Sequence, residues 1–481
     1  MTDGLECSEV LLSKLERTNR LDAEFYKKKS LDISKILSDL SAKPITEYME
    51  ISDGNHMSIS EHFVEEGIPY YRGQDIYNLF IENATPICID KDTFDKSLMH
   101  RSHLKKGDVL MSIVGAIVGN SSIVCSNASA TCSCKLAIMR SDSDKLMPET
   151  LLIYIKTKYG QDQIQKFKRG AAQTGLILED FDQIYIPPFS NSFQKTLQDA
   201  IYGIKNLTEL SISKNRHAEN LLIKEIGINS SILTNGGITI KSFSESFGNT
   251  GRLDAEYYQP KYEEINNIFK DINTTTISND FWILNNTYNN YSEDGTIGVI
   301  KTKQLRVTGI QTDDVESYID EKDLDNNSLV SINNRDVLFA SMGVGSLGRT
   351  CIFLNKSTQK YITDSTLKIF RAKPDSNIKP ETLAVFLQSK IGQELIYRYV
   401  VGSTGIINIY SEDIDKIPIP VISDSVQSSI EELVNKSFTL KEKSQHLLKC
   451  AIKAVEIAIE QNETTAISWL QSKINDLTKE D

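Results

Sequence analysis

The chain has 481 residues, 40% of them hydrophobic and 25% charged, with a formal net charge of −12. That length exceeds a single hydrophobic core and asks for two or more domains. No run of 18 apolar residues and no basic–apolar leader is present, and the seven cysteines contain no C-x-x-C pair, so the expectation is a cytoplasmic protein with reduced thiols and no membrane span. The acidic balance counts against a generic nucleic-acid binder: Lys and Arg number 14 against 19 Asp and Glu over residues 44–190, and 15 against 18 over 274–421, so phosphate contacts must come from local basic clusters.

In chain order, residues 1–43 form a lead-in segment carrying Arg20-Leu21-Asp22-Ala23-Glu24-Phe25-Tyr26. Residues 44–190 read as strand-rich, with short apolar or alternating runs at Val109–Val114, Ser122–Val124, Leu136–Arg140 and Ile184–Ile186 between Gly- and Asn-rich turns. One helix is predicted inside this region, near Pro148–Lys168, with Pro in its first turn. Residues 191–227 read as one long helix. The turn-rich stretch Gly227–Gly237 opens a linker and second lead-in segment, 228–273.

From there the chain repeats itself. Arg252-Leu253-Asp254-Ala255-Glu256-Tyr257-Tyr258 restates the first motif 232 residues on. Asp108-Val109-Leu110 returns as Asp336-Val337-Leu338, Pro148-Glu149-Thr150-Leu151 as Pro380-Glu381-Thr382-Leu383, and Gly160-Gln161 as Gly392-Gln393. A period this long is a duplicated domain, not a solenoid. Residues 274–421 are the second strand-rich domain, with its helix near Pro380–Tyr399, and 422–481 a second long helix and tail.

In that helix Val426, Ile430, Leu433, Ser437, Leu440, Ser444, Leu447, Ala451, Ala454 and Ala458 follow alternating steps of four and three, the seam of a coiled coil. Phe193, Leu197, Ala200, Ile204, Leu207, Ser211, Lys214, Ala218 and Leu221 keep the same phase in the earlier helix. Two helices in matching phase, one after each repeat, pack on each other, and a pseudo-two-fold axis makes them antiparallel. The small and polar seam residues permit close approach. At ~1.5 Å per residue the rod reaches roughly 50 Å. The expected fold is α+β: two pseudo-two-fold related β-rich domains separated by an antiparallel coiled coil.

Catalytic chemistry is hard to place. Gly343-Val344-Gly345-Ser346-Leu347-Gly348 fits a dinucleotide fingerprint, but a strand-like run follows it where a helix is needed, so it reads as a hairpin turn. Ile186-Pro187-Pro188-Phe189 lacks the polar first residue of an amino-methyltransferase loop. Cys125, Cys132, Cys134, His100 and His103 do not keep zinc spacing and do not recur. No catalytic residue, metal or cofactor is assigned to this chain.

Asp53-Gly54-Asn55-His56, Gly67–Ile76, Gly107–Ser112, Gly170–Gly175 and a Gln opening each long helix (Gln194, Gln427), taken in order and doubled, resemble the specificity subunit of type I restriction–modification systems. The second half has no D-G-x-H block, and Ile297–Leu305 is a distant version of Ile68–Ile76. The resemblance implies two target recognition domains that read a bipartite double-stranded DNA target across a spacer set by the rod. It also implies two DNA methyltransferase subunits as partners, carrying S-adenosylmethionine, and ATP-dependent restriction subunits beyond them.

Base readers need forked donors and acceptors, and phosphate contacts need cations or backbone N–H groups. Candidate DNA contacts are Arg72, Gln74 and Asp75 in the first domain and Lys301, Lys303, Gln304 and Arg306 in the second. A second group is Lys166, Lys168, Arg169, Gln173 and Thr174, matched by Arg398, Ser403 and Thr404 around the Gly170 and Gly402 loops. The two RLDAE motifs are expected to be structural, tying the lead-in segment to the rod. The competing reading is a structural or adhesive protein with duplicated β-rich heads on a coiled coil, which the acidic charge favours.

Overall fold

The computed structural model describes residues 6–12, 20–141, 145–170, 174–227, 238–306, 309–326, 328–355, 358–402 and 407–479. The chain divides into two compact units, Met1–Leu207 with Glu442–Asp481, and Thr208–Lys441.

In the first unit a four-stranded antiparallel sheet runs in the order Met49–Asp53, Leu136–Ser141, Val109–Ser112, Ser121–Ile123. Its central strands are mostly apolar and buried because both faces are covered. Val109, Met111, Ala137 and Met139 pack with the helices Pro148–Lys156 and Lys158–Phe167, while Leu110, Leu136 and Ile138 join a separate cluster with Tyr71 and Ile76. A second sheet orders Phe63–Val64, Ile87–Ile89, Ile68–Tyr71 and Thr131–Cys132, the last pair parallel. Lys43–Pro44 pairs with Tyr185–Ile186, so the strands that enter and leave this body lie side by side.

The second unit repeats that plan. Its main sheet runs Phe281–Leu284, Leu367–Ala372, Val337–Ala340, Thr350–Ile352, followed by helices Pro380–Gln388 and Lys390–Arg398. The smaller sheet has Tyr318–Ile319, Ile297–Ile300 and Tyr361–Thr363, again with a parallel last pair. Thr274–Thr275 and Ile419–Pro420 form the entry–exit pair. Gly343, Gly345 and Gly348 have positive φ in the connection between Val337–Ala340 and Thr350–Ile352, an antiparallel pair, as a hairpin requires.

The single helix predicted in each repeat is two. Thr157 and Ser389 end one helix and cap the next, each side-chain oxygen accepting from the N–H three residues on, Gly160 or Gly392, at 3.2 Å. The bend brings the new helix so close that a Cβ on Gly160 would lie 2.4 Å from the Tyr154 carbonyl oxygen, and one on Gly392 2.0 Å from that of Phe386.

The long helices are Asn191–Ile226 and Asp424–Glu460, and a further helix, Glu463–Lys479, buries Ala466 and Leu470 in the first unit's core. Within each unit the two long helices run antiparallel. In the first, Ser444 Oγ donates to the Ile204 carbonyl at 3.3 Å, and Ser190 at the start of one helix meets Glu463 beyond the end of the other. In the second, Ser211 meets Ser437 and Ser423 meets Glu225. The predicted seam is buried at Phe193, Leu197, Ala200, Ile204, Ala218, Ile430, Leu447, Ala451 and Ala454. No described helix is long and apolar enough to cross a membrane.

Candidate nucleic-acid interface

The residues that recur between the repeats are fasteners. Arg140 donates from Nε and Nη2 to Asp108 (2.8 and 2.6 Å) and from Nη2 to the His103 carbonyl. Arg371 does the same with Asp336 (3.0 and 2.7 Å) and the Ser331 carbonyl. Gln161 Nε2 donates to the carbonyls of Gly119 and Ile155, and Gln393 Nε2 to those of Gly348 and Leu387, pinning each glycine turn to the helix bend. Gln194 and Gln427 each close the start of a long helix on the loop before the repeat's first helix, accepting at 2.8 Å from Met147 N and Lys379 N.

The RLDAE motifs are fasteners as well, although not to the long helices as expected. Arg20 forks onto Asp22 (2.7 and 2.7 Å), lies 5.0 Å from the Phe25 ring centroid and donates to the Lys166 carbonyl. Arg252 forks onto Asp254, lies 4.7 Å from Tyr257 and donates to the Val400 carbonyl. The guanidinium holds the carboxyls of Asp22 and Asp254 below the usual carboxylate range. The motif therefore clamps the lead-in segment to the end of the repeat's own second helix.

That clamp consumes much of the predicted phosphate site. Lys166 is buried with its ammonium 4.2 Å from the Phe25 ring centroid, and its counterpart Arg398 lies 4.8 Å from that of Tyr257 and bonds Asn266. Arg169 is paired with the buried carboxylate of Asp180. Lys168 is the half-buried residue after the helix. Thr174 gives its carbonyl to Gly115 N at 2.8 Å. Lys166 is thus withdrawn from solvent, while Arg169 and Arg398 stay half-buried with part of their donors engaged inside the repeat. Gln173, Ser403 and Thr404 lie outside the described residues.

The other predicted group forms two equivalent short turns, Gly73–Asp75 and Thr302–Gln304. Asp75 and Gln304 are the inward members: Asp75 accepts from Arg72 N at 2.7 Å, and Gln304 accepts from Lys301 N at 3.0 Å and donates to the Asp314 carbonyl. Both are buried, and burial raises the Asp75 carboxyl above its ordinary range. Neither can reach a base, which corrects the expectation for Asp75 and Gln304. Gln74 and Lys303 are the exposed members, Lys303 paired with Glu316. Arg72 is half-buried, as are Lys301, whose Nζ donates to Ser317 at 2.7 Å, and Arg306.

Arg101 stands in the sequence between His100 and His103; among the described residues no group of three or more His, Cys, Asp and Glu is placed to hold a metal. A charge count in a short moving window finds the signal: Lys96 to Lys106 contains four Lys or Arg and no carboxylate.

Residues 264–447 match the family model described as Methylase_S, type I restriction modification DNA specificity domain. No curated protein matches the chain. Among solved structures, the chain is similar to the S subunit of a type I restriction-modification system from M. genitalium, at 13% identity and a TM-score of 0.36, over 89% of this chain and 95% of that one. It is also similar to the HsdS subunit from Thermoanaerobacter tengcongensis, at 12% identity and a TM-score of 0.27, over 91% and 95%. The first repeat, with the same strand order and the same fasteners, is the counterpart within this chain of the matched residues 264–447.

Proposed function

We propose that the chain is the DNA sequence-specificity subunit of a type I restriction–modification assembly. Each repeat reads one half of a bipartite duplex target, and the long helices set the unread spacer. The observation that carries this reading is the family match over residues 264–447 in a chain whose two repeats share their internal bonds and differ in their exposed polar residues. Reading two unlike half-sites asks for that combination of common scaffold and divergent surface.

The chain itself performs no bond chemistry in this reading. It docks two DNA methyltransferase subunits, which bring S-adenosylmethionine and rotate the target base into their own pockets. ATP-dependent restriction subunits join through them. Because the net charge is −12, phosphate contacts come from local cations, and the subunit alone binds DNA weakly.

The test is affinity purification of the tagged chain from its host, followed by sequencing of methylated genomic sites. Recovery of about two methyltransferases per chain, with a split motif in the methylated DNA, supports the reading. Absence of a methyltransferase at low salt, together with no sequence preference in DNA binding, overturns it in favour of a protein-binding scaffold.

A further inference from the structure

A single buried carboxylate in the first repeat holds out two exposed nitrogen-bearing side chains. Asp53, the last residue of strand Met49–Asp53, is 9% exposed. Its Oδ2 lies 2.6 Å from His56 Nε2, and its Oδ1 accepts from Arg101 Nη2. The side chains of His56 and Arg101 remain 59% and 53% exposed.

Both are mounted rigidly. A Cβ on Gly54 would lie 2.4 Å from the carbonyl oxygens of Cys132 and Ser133, so the turn is pressed against that strand. Asn55 is buried and exchanges two hydrogen bonds with the Met57 backbone. Arg101 sits in the short helix Ser97–Ser102, anchored by fully buried Met99 and by the Ser102–Thr131 hydroxyl pair at 2.7 Å.

The surroundings are basic in an acidic chain. After Asp95 no carboxylate occurs until Asp108, and the intervening stretch holds Lys96, His100, Arg101, His103, Lys105 and Lys106. Lys105 and Lys106 are exposed and form no ion pair among the described residues.

The second repeat lacks all of this. Its Arg371–Ser331 bond places Ser331 where His103 stands, and so Leu329 where Arg101 stands. Leu284 pairs with Ile369 as Ser52 pairs with Ile138, which puts Asn285 at the place of Asp53. The stretch Leu324–Asn334, matching Lys96–Lys106, has no Lys, Arg or His. Both members of the ion pair and the surrounding charge change together, in a chain whose fasteners are kept.

Building on the specificity reading, we infer that Arg101, aimed by Asp53, reads an acceptor pair on duplex DNA for the first half-site, with Lys105 and Lys106 on the adjoining phosphates. Asp53 engages one N–H of Nη2, so one edge of the guanidinium keeps two parallel N–H groups that donate as a fork. That geometry suits the O6 and N7 of a guanine edge, and phosphate oxygens offer the same acceptor chemistry. A guanidinium restrained by a buried carboxylate loses less freedom on binding than a loose surface arginine.

The experiment uses the full methyltransferase complex and sequencing of its methylated sites, with Arg101→Lys, Arg101→Ala and the Lys105→Ala/Lys106→Ala pair. These residues are exposed, and thermal melts confirm folding. Arg101→Lys keeps the charge and loses the fork, so the expected result is roughly ten- to hundredfold weaker discrimination at one position of one half-site, with the other half-site unchanged. The double lysine variant weakens binding at all sites alike and lowers the salt slope by about 2. Equal weakening at every site by Arg101→Lys and Arg101→Ala, with the motif intact, makes Arg101 a phosphate contact and overturns base reading. An unchanged motif with unchanged affinity overturns the site altogether. A wild-type complex without any sequence preference refutes the specificity reading instead, which keeps the two failures apart.

Discussion

Ser211 and Ser437 bond to each other's backbone. Each Oγ donates to the other residue's carbonyl oxygen at 2.8 Å, and the hydroxyls stand 3.0 Å apart. A reciprocal pair of this kind forms only where two helices approach closely in one register, since a shift by a single turn would break both bonds. Ser211→Ala is expected to cost about 1 kcal/mol, the value of one intramolecular hydrogen bond. Ser211→Leu forces bulk into a close approach and should cost about 1–3 kcal/mol. Urea unfolding midpoints of the two variants measure the difference, and equal midpoints would refute the close-approach account.

The Arg–carboxylate fork recurs in both repeats, so removing it from either should have the same local effect. Asp108→Asn and Asp336→Asn each strip a buried partner from an arginine, at about 3 kcal/mol. Limited proteolysis is expected to cut the mutated repeat and spare the other. Cleavage in both would mean that the repeats do not unfold separately.

Lys156 is a cation whose place in the second repeat is taken by a neutral side chain. Its Nζ donates to the Ser121 carbonyl at 2.8 Å, where Gln388 Nε2 donates to the carbonyl of Thr350. Burial pushes the lysine down to about 8 from an ordinary 10.5. The folded state therefore binds fewer protons than the unfolded one between those values, and stability rises as pH climbs from about 8 towards 10.5. Lys156→Gln should remove that rise and stabilise the protein at pH 7. Melting temperatures across this pH range check the sign; a variant that melts lower at pH 7 contradicts it.

The turns Gly73–Asp75 and Thr302–Gln304 separate structure from contact within three residues. Asp75→Ala and Gln304→Ala should lower the melting temperature, because each leaves a backbone N–H without its acceptor. Lys303→Ala should leave melting unchanged within about 0.5 kcal/mol, as an exposed pair contributes little. A DNA-affinity change in Lys303→Ala without a melting change would assign that side chain to the interface.

The duplication was legible because its fasteners demand particular side chains. A forked Arg–Asp pair, a glutamine spanning two carbonyls and a glycine under a carbonyl admit few substitutes, so Asp108, Gln161 and Gly160 recur as letters. The same recurrence misled the choice of DNA contacts. Lys166 and Arg398 recur because Phe25 and Tyr257 recur, and they face those rings. Residues that read unlike half-sites have no reason to match, and Arg101, opposite Leu329, is invisible to a search for repeats. The helix break was also readable, since Thr157 and Ser389 each precede a glycine by three residues, but continuous helical periodicity masked it.

The two-residue strand pairs at the threshold of each repeat have an evolutionary corollary. Lys43–Pro44 against Tyr185–Ile186, and Thr274–Thr275 against Ile419–Pro420, bring the first and last strands of each body together. A body whose ends meet can be cut out and another spliced in without lengthening or straining the flanking helices. Crossing-over at these four points in the gene would trade one such body for another in a single event, leaving the long helices to be inherited unchanged.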